Sequence, residues 1–160
     1  MSAPSENSWA APLGRVSSGI FILTVRSGAE ETGMLTSWVQ QAGFEPPMVS
    51  VAVKAGRYVA DWLTAGAPFV VNVVGAGQSQ FLKHFGRGFA PDEPAFAGLN
   101  IERTTDGIPW LADSLGYLEC RPEAHLDSGD HRIFLAQVVN GQMLNEVEPM
   151  LHVRKSGLRY

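Results

Sequence analysis

Thr36, Ser37, Gln40 and Gln41 surround one large aromatic, Trp38, in the stretch Gly33 to Val53, where two apolar runs flank a polar middle and a Phe44-Glu45-Pro46-Pro47 turn. A strand usually buries one face and wets the other. Hydroxyls and amides beside an indole therefore suit a flat, amphipathic ligand with polar edges. Plain packing is the competing reading of a strand tryptophan.

Two groups of basic residues lie nearby in the sequence. Lys54 and Arg57 follow the apolar run Met48–Val53 across the turn Ala55-Gly56, and Lys83, His84 and Arg87 fall in Lys-His-Phe-Gly-Arg-Gly-Phe. A phosphate needs charge-assisted donors; a guanidinium supplies two as a fork, and turn N–H groups can add to it. Scattered surface charge is the alternative for both groups. The position of Lys54 and Arg57 beside the polar strand favours phosphate for that pair.

Other constellations are weaker. Gly75-Ala76-Gly77-Gln78-Ser79-Gln80 follows a strand-like run and opens a helix, but it lacks the third glycine of a dinucleotide fingerprint and reads as a turn. Gly14-Arg15-Val16-Ser17-Ser18-Gly19 lacks the spacing of a nucleophile elbow. His125, Asp127, Asp130 and His131 cluster in His-Leu-Asp-Ser-Gly-Asp-His. That spacing matches no metal motif and is also a turn composition, so no metal is assigned. A third option makes His131 a single ligand-facing imidazole at the lip of a strand. Asn72, inside Val-Val-Asn-Val-Val, reads as a buried structural amide.

The elements that must position these groups are mostly strands. Runs rich in Val, Ile, Phe and Thr span Ile20–Val25, Gly33–Val39, Met48–Val53, Phe69–Val74, Leu115–Cys120 (with an extension toward His125), Arg132–Val139 and Met150–Arg154. So many short strands with little helix between them predict a mainly β fold, a closed or Greek-key barrel with a few short helices. Helices are predicted over Trp9–Ser18, Val59–Ala65 and Gln78–Phe85. Phe85–Leu111 reads as a long Gly- and Pro-containing loop, of the kind that is functional or mobile.

The 160 residues predict one domain over 1–160, with residues 1–8 loose. A net charge of −4 argues against a nucleic-acid partner. The single cysteine, Cys120, excludes an internal disulfide and fits a reducing compartment. No apolar run is long enough to span a bilayer, and the first residues lack the basic and apolar regions of a secretory signal. A cytoplasmic protein is expected.

Taken in order, several pieces resemble the flavin reductase-like, FMN-binding split-barrel family. They are Leu13-Gly14-Arg15-Val16-Ser17-Ser18-Gly19-Ile20, Gly33-Met34-Leu35-Thr36-Ser37-Trp38-Val39, Phe44-Glu45-Pro46-Pro47, Lys83-His84-Phe85, Arg87-Gly88-Phe89, Gly129-Asp130-His131 and the closing segment from His152. The Lys83 and Gly129 pieces look most like the flavin reductase domain of cyanobacterial flavodiiron proteins. The chain carries none of the other portions of those proteins, so it is a stand-alone relative or an excised domain.

The resemblance implies a homodimeric split barrel that binds FMN, or less often FAD, and reduces it with NADH or NADPH, passing electrons to an acceptor that could be a partner protein. Carried over by position, Thr36, Ser37, Trp38, Gln40, Gln41 and Ala42 would lie along the ring and ribityl chain. Ala52, Val53, Lys54 and Arg57 would surround the phosphate, and Lys83, Phe85 and Arg87 would close the site. His131 would face the ring as the catalytic group. Many members carry Ser or Thr in the phosphate turn, where this chain has Gly56 and Arg57. The alternative is an FMN-bearing electron carrier without activity toward pyridine nucleotides.

Overall fold

The structure, a computed structural model, describes residues 6–160. Residues 1–5 of the start expected to be loose lie outside the described residues. A short helix α1 (Ala10–Gly14) leads into β1 (Ser18–Gly19), β2 (Phe21–Ser27), β3 (Glu30–Thr36), β4 (Val39–Gly43) and β5 (Met48–Lys54). Then come α2 (Tyr58–Thr64), β6 (Phe69–Val73), α3 (Ser79–Phe85), β7 (Ile101–Arg103), β8 (Pro109–Leu111), β9 (Gly116–Ser128), β10 (His131–Met143) and β11 (Leu151–His152). The mainly β expectation holds. Among the described residues no helix is long and apolar enough to cross a membrane.

Seven strands form one antiparallel sheet in the order β3-β2-β6-β9-β10-β5-β4. Its two outer strands, β3 and β4, are successive in sequence and are joined only by Ser37 and Trp38. Their facing ends therefore lie within roughly 10 Å of each other. The sheet has to curl, which gives a split barrel rather than a flat layer. The run Gly33–Val39, read as one strand, is thus two strands around a break. The helix expected over Trp9–Ser18 shrinks to α1, and Ser18 and Gly19 pair instead with His152 and Leu151.

Alternation along β5 fixes what faces where. Val49, Val51 and Val53 point into the main core with Phe69, Val71, Phe134 and Leu63 of α2, while Ser50, Ala52 and Lys54 point outward. Residues on β10 opposite those outward positions share their face: His131 pairs with Lys54 and Ile133 with Ala52. The hairpin between β9 and β10 turns through Gly129 at a φ of 60°, a left-handed conformation that suits glycine.

The segment from Phe85 to Leu111 contains β7 and β8 and is pinned to the barrel. Phe85, Ala95, Phe96 and Leu111 are buried with Ile20, Ile22 and Phe81 in a second core. A Cβ on Gly33 would stand 2.6 Å from the Phe85 ring, so the glycine lets α3 lie close on β3. Asn72, fully buried, donates to Ile22 O (2.9 Å) and Thr24 Oγ1 (3.1 Å) and accepts from Leu111 N (2.8 Å). It is the structural amide the sequence predicts. Asn72→Ala leaves the Leu111 N–H without its partner in a dry interior and removes the side-chain tie to Thr24, so urea unfolding should show a loss of about 2–4 kcal/mol.

Candidate functional site

Where the sheet splits, a cavity of about 310 Å³ opens between β3, β5 and the α3 end of the long segment. Ile20, Met34, Leu35, Leu82 and Phe85 give it apolar walls. Thr36 and Ser37, both nearly buried, and Trp38 line it at the strand break. Ala52, Lys54 and Arg57 line it from β5 and the turn after it, and Gly86, Arg87 and Gly88 from the far side, with His152 and Tyr160. Apolar walls with a few convergent donors and cations are the form of a small-molecule site.

Of the residues singled out by sequence, Thr36, Ser37, Trp38, Ala52, Lys54, Arg57, Phe85 and Arg87 meet around this one cavity. The others fall elsewhere. Val53 points into the core, because β5 alternates and its neighbours Ala52 and Lys54 take the outward face. Gln40 opens onto an adjoining groove of about 560 Å³. Gln41 and Ala42 are exposed on β4, with the Gln41 amide donating to Gly43 O at 3.3 Å. Lys83 is exposed on the outer side of α3. The Ala55 N–H donates to Asp130 O at 2.9 Å, so it is not available to an anion as the turn reading expected.

Lys54 and Arg57 are exposed and, among the described residues, have no carboxylate within salt-bridge distance. Gly56, between them, has a φ of 86° and open space where a Cβ would stand. Arg87 lies 3.5 Å from Glu93 and stacks over the Phe89 ring at 4.4 Å.

His131 is buried and lines the adjoining groove rather than the cavity. Its Nδ1 is 2.7 Å from Asp130 Oδ1 and its Nε2 is 2.5 Å from the Tyr160 hydroxyl. Trp38 stands against both rings, at 4.8 Å from His131 and 5.2 Å from Tyr160, and the Arg154 guanidinium lies 5.4 Å over the indole. The hydrogen bond from His131 holds the Asp130 carboxyl below the usual aspartate range, with lesser help from the His131 and Lys54 charges. Burial raises the Tyr160 phenol above its ordinary value, while Arg57 and Arg154 pull the other way.

Sequence reasoning left Asp130 in a turn and missed Tyr160 and Arg154 as site residues. The signal for Asp130 was its place next to His131. For Tyr160 and Arg154 the one signal was their place in the closing segment from His152 that carries the resemblance; the contact with His131 itself spans 29 residues. Asp127, the other carboxylate of that cluster, is bonded to Arg132 Nε at 2.7 Å.

Residues 13–158 match the flavin reductase like domain. Diflavin flavoprotein A 1 of Synechocystis sp. is 39% identical over 150 residues, which are 92% of this chain and 26% of that protein. The chain thus spans about a quarter of the length of such curated relatives. Among solved structures, an NADH:FAD oxidoreductase of Streptomyces globisporus C-1027 superposes with a TM-score of 0.83 at 28% identity, over 99% of this chain and 93% of that one. That protein has also been solved with NAD and FAD fragments. The flavin reductase of styrene monooxygenase from Pseudomonas putida S12 superposes with a TM-score of 0.74 at 26% identity, covering 89% and 90% of the two chains.

The Asp130–His131 bond yields a pH prediction. A carboxyl depressed in the folded state adds stability above its ordinary pKa, and that stability is lost as pH falls through the folded value. Carbon-13 NMR should show Asp130 titrating below about 3.9, and His131→Ala should return it toward that value.

Proposed function

Because the chain belongs to the flavin reductase-like domain family, we propose that it is a flavin reductase that takes FMN at the split of the barrel and uses NADH or NADPH as reductant. The cavity lined jointly by Thr36–Trp38, Lys54, Arg57 and Arg87 carries this reading. The residues present fit a flavin. Leu35, Met34, Leu82 and Phe85 offer apolar surface to a flat ring system, Thr36 and Ser37 offer hydrogen-bonding groups at its edge, and three cations can meet an anionic tail. When bound, the flavin supplies the two-electron chemistry, accepting hydride from a dihydronicotinamide.

The chain's own contribution is placement and exclusion of water. Among the described residues Lys54 and Arg57 have no carboxylate within salt-bridge distance, and both line the cavity, so an anion would gain their charge without first breaking an ion pair. Phe85 closes the cavity from the second core, and Arg87 two residues on lines the same cavity as Arg57. Apolar side chains left exposed on β10 and around it, Leu135, Val139 and Met143 with Phe44 at 90% exposure, support a homodimer that covers this face. In a protein of the diflavin type, the same domain would pass electrons to the rest of its chain. The relatives that match over a quarter of their length support this second reading.

Purified protein mixed with FMN should show a bound-flavin absorption spectrum and should oxidise NADH or NADPH when flavin is present. Failure of both removes this reading. Arg57→Ala should weaken FMN binding in fluorescence titration by about 1–3 kcal/mol, roughly 5- to 150-fold, with the fold unchanged in circular dichroism. Light scattering should give twice the chain mass, and Leu135→Glu should return the protein to a single chain.

A further inference from the structure

Tyr160 lines the cavity and His131 does not, although the two are hydrogen-bonded. The phenol therefore stands between the imidazole and the space a ligand would fill. The direction of the chain follows from the donor inventory. Asp130 is ionised near neutrality and can only accept, so Nδ1 of His131 donates to it. In the form of the imidazole protonated at Nδ1 alone, Nε2 is an acceptor and the Tyr160 O–H is its donor. The burial that raises the phenol's pKa keeps that proton in place.

With its only proton committed to His131, the Tyr160 oxygen has acceptor capacity alone to offer the cavity. The ring rests on Trp38 and the residue lines the cavity, which puts the phenol at the edge of the pocket. The segment that carries it is tied down at its base. Arg154 N donates to Gly14 O (2.9 Å), Gly157 N to Ala10 O (2.5 Å) and Arg154 Nη1 to Arg159 O (2.9 Å). Gly157 is required there, since a Cβ would stand 2.7 Å from Leu13.

We propose that Tyr160 is a ligand-contact residue of the slot, through which Asp130 and His131 act as positioning residues, and that its phenolic oxygen accepts a hydrogen bond from an imide or carboxamide N–H of the bound ligand. The proposal rests on the flavin-slot reading. Both partners of that reading carry such a group, the imide of the isoalloxazine edge and the carboxamide of nicotinamide. Asp130 fixes the tautomer of His131, and His131 fixes the rotation of the Tyr160 hydroxyl.

The test is a double-mutant cycle read by binding. Wild type, Tyr160→Phe, His131→Ala and the double variant are titrated by fluorescence with FMN in one arm and with NADH or NADPH in the other. Each single variant should weaken one of the two ligands about tenfold, the cost of one net hydrogen bond, and the arm affected names the group contacted. The double variant should be no weaker than the singles, because both remove the same chain of contacts. Independently, nitrogen-15 NMR of the ligand-free protein should show His131 protonated at Nδ1, with the Nε2 resonance shifted in Tyr160→Phe. Losses that add in the double variant overturn the proposal. So does a Tyr160→Phe protein that binds both ligands as well as wild type or better, the behaviour of a mere cover. If wild type takes up no flavin, the flavin-slot reading falls by itself. The proposal is then decided by the pyridine-nucleotide arm and the imidazole resonances, and an unchanged result in either overturns it.

Discussion

Two residues, Ser37 and Trp38, close a seven-stranded sheet upon itself, and the rest of the site depends on that short link. The strands they join are the sheet's two edges, so the chain must turn sharply there while both flanking strands remain paired to other partners. The link leaves the β3 ladder, and the Trp38 carbonyl extends the β4–β5 register by accepting from the Ala52 N–H at 3.0 Å. A buried backbone group without a partner costs free energy comparable to a lost hydrogen bond. A break in a ladder thus exposes unpaired peptide groups at one spot, and that spot is where a polar-edged ligand can be met. The indole of Trp38 stands on one side of the break with His131 and Tyr160, and the cavity opens beside it.

The opposite wall is built by packing rather than by pairing. Phe85 is buried at 1% exposure, and burying a phenylalanine contributes about 1.5–3 kcal/mol. Gly33 makes room for it on β3, and His84 reaches Ala95 O at 2.7 Å behind it. Asn72 ties the far end of the same segment to the barrel through Leu111. Gly86 and Arg87 therefore form an exposed turn with both flanks anchored, which is how a loop can keep Arg87 at the cavity with Arg57 without a regular element of its own.

Much of this was legible in the sequence, and the boundary is physical. Strands buried on one or both faces, such as β2, β5 and β6, announce themselves by apolar content, and Asn72 by being the one polar residue in such a run. Thr36, Ser37, Trp38, Lys54 and Arg57 were found together because a strand keeps sequence neighbours close in space. Side was harder than place: Val53 was grouped with Lys54, although period two sends adjacent residues to opposite faces. The break at Ser37 and Trp38 was not legible, since Thr36, Ser37 and Trp38 read as the polar part of one strand running on to Val39. The outer halves of β9 and β10 are exposed, so they lack the burial signal that located their inner halves. Tyr160 lay in a segment that carries the resemblance, but its place at the site could not be read because only the closed chain brings it to Trp38 and His131.

Charge distribution explains how an acidic chain presents a cationic wall. Arg103, Arg121 and Arg132 are held by Glu31, Asp106 and Asp127 away from the cavity. Lys54 and Arg57 are not so held. Arg87 is intermediate: its ion pair with Glu93 is 3.5 Å long, with the two side chains 65% and 41% exposed. An exposed pair of that kind is worth about 0–1 kcal/mol, whereas a charge-assisted bond to an anion in a partly closed cavity is worth about 1.5–3. Arg87 therefore loses little by leaving Glu93 for a ligand. The net charge of −4 acts over distances that physiological salt screens within about 8 Å, so it does not cancel contacts made inside the cavity. On the proposed reading, an anion would be recognised by the cations that lack a partner among the described residues, Lys54 and Arg57, and not by the sum of charges on the chain.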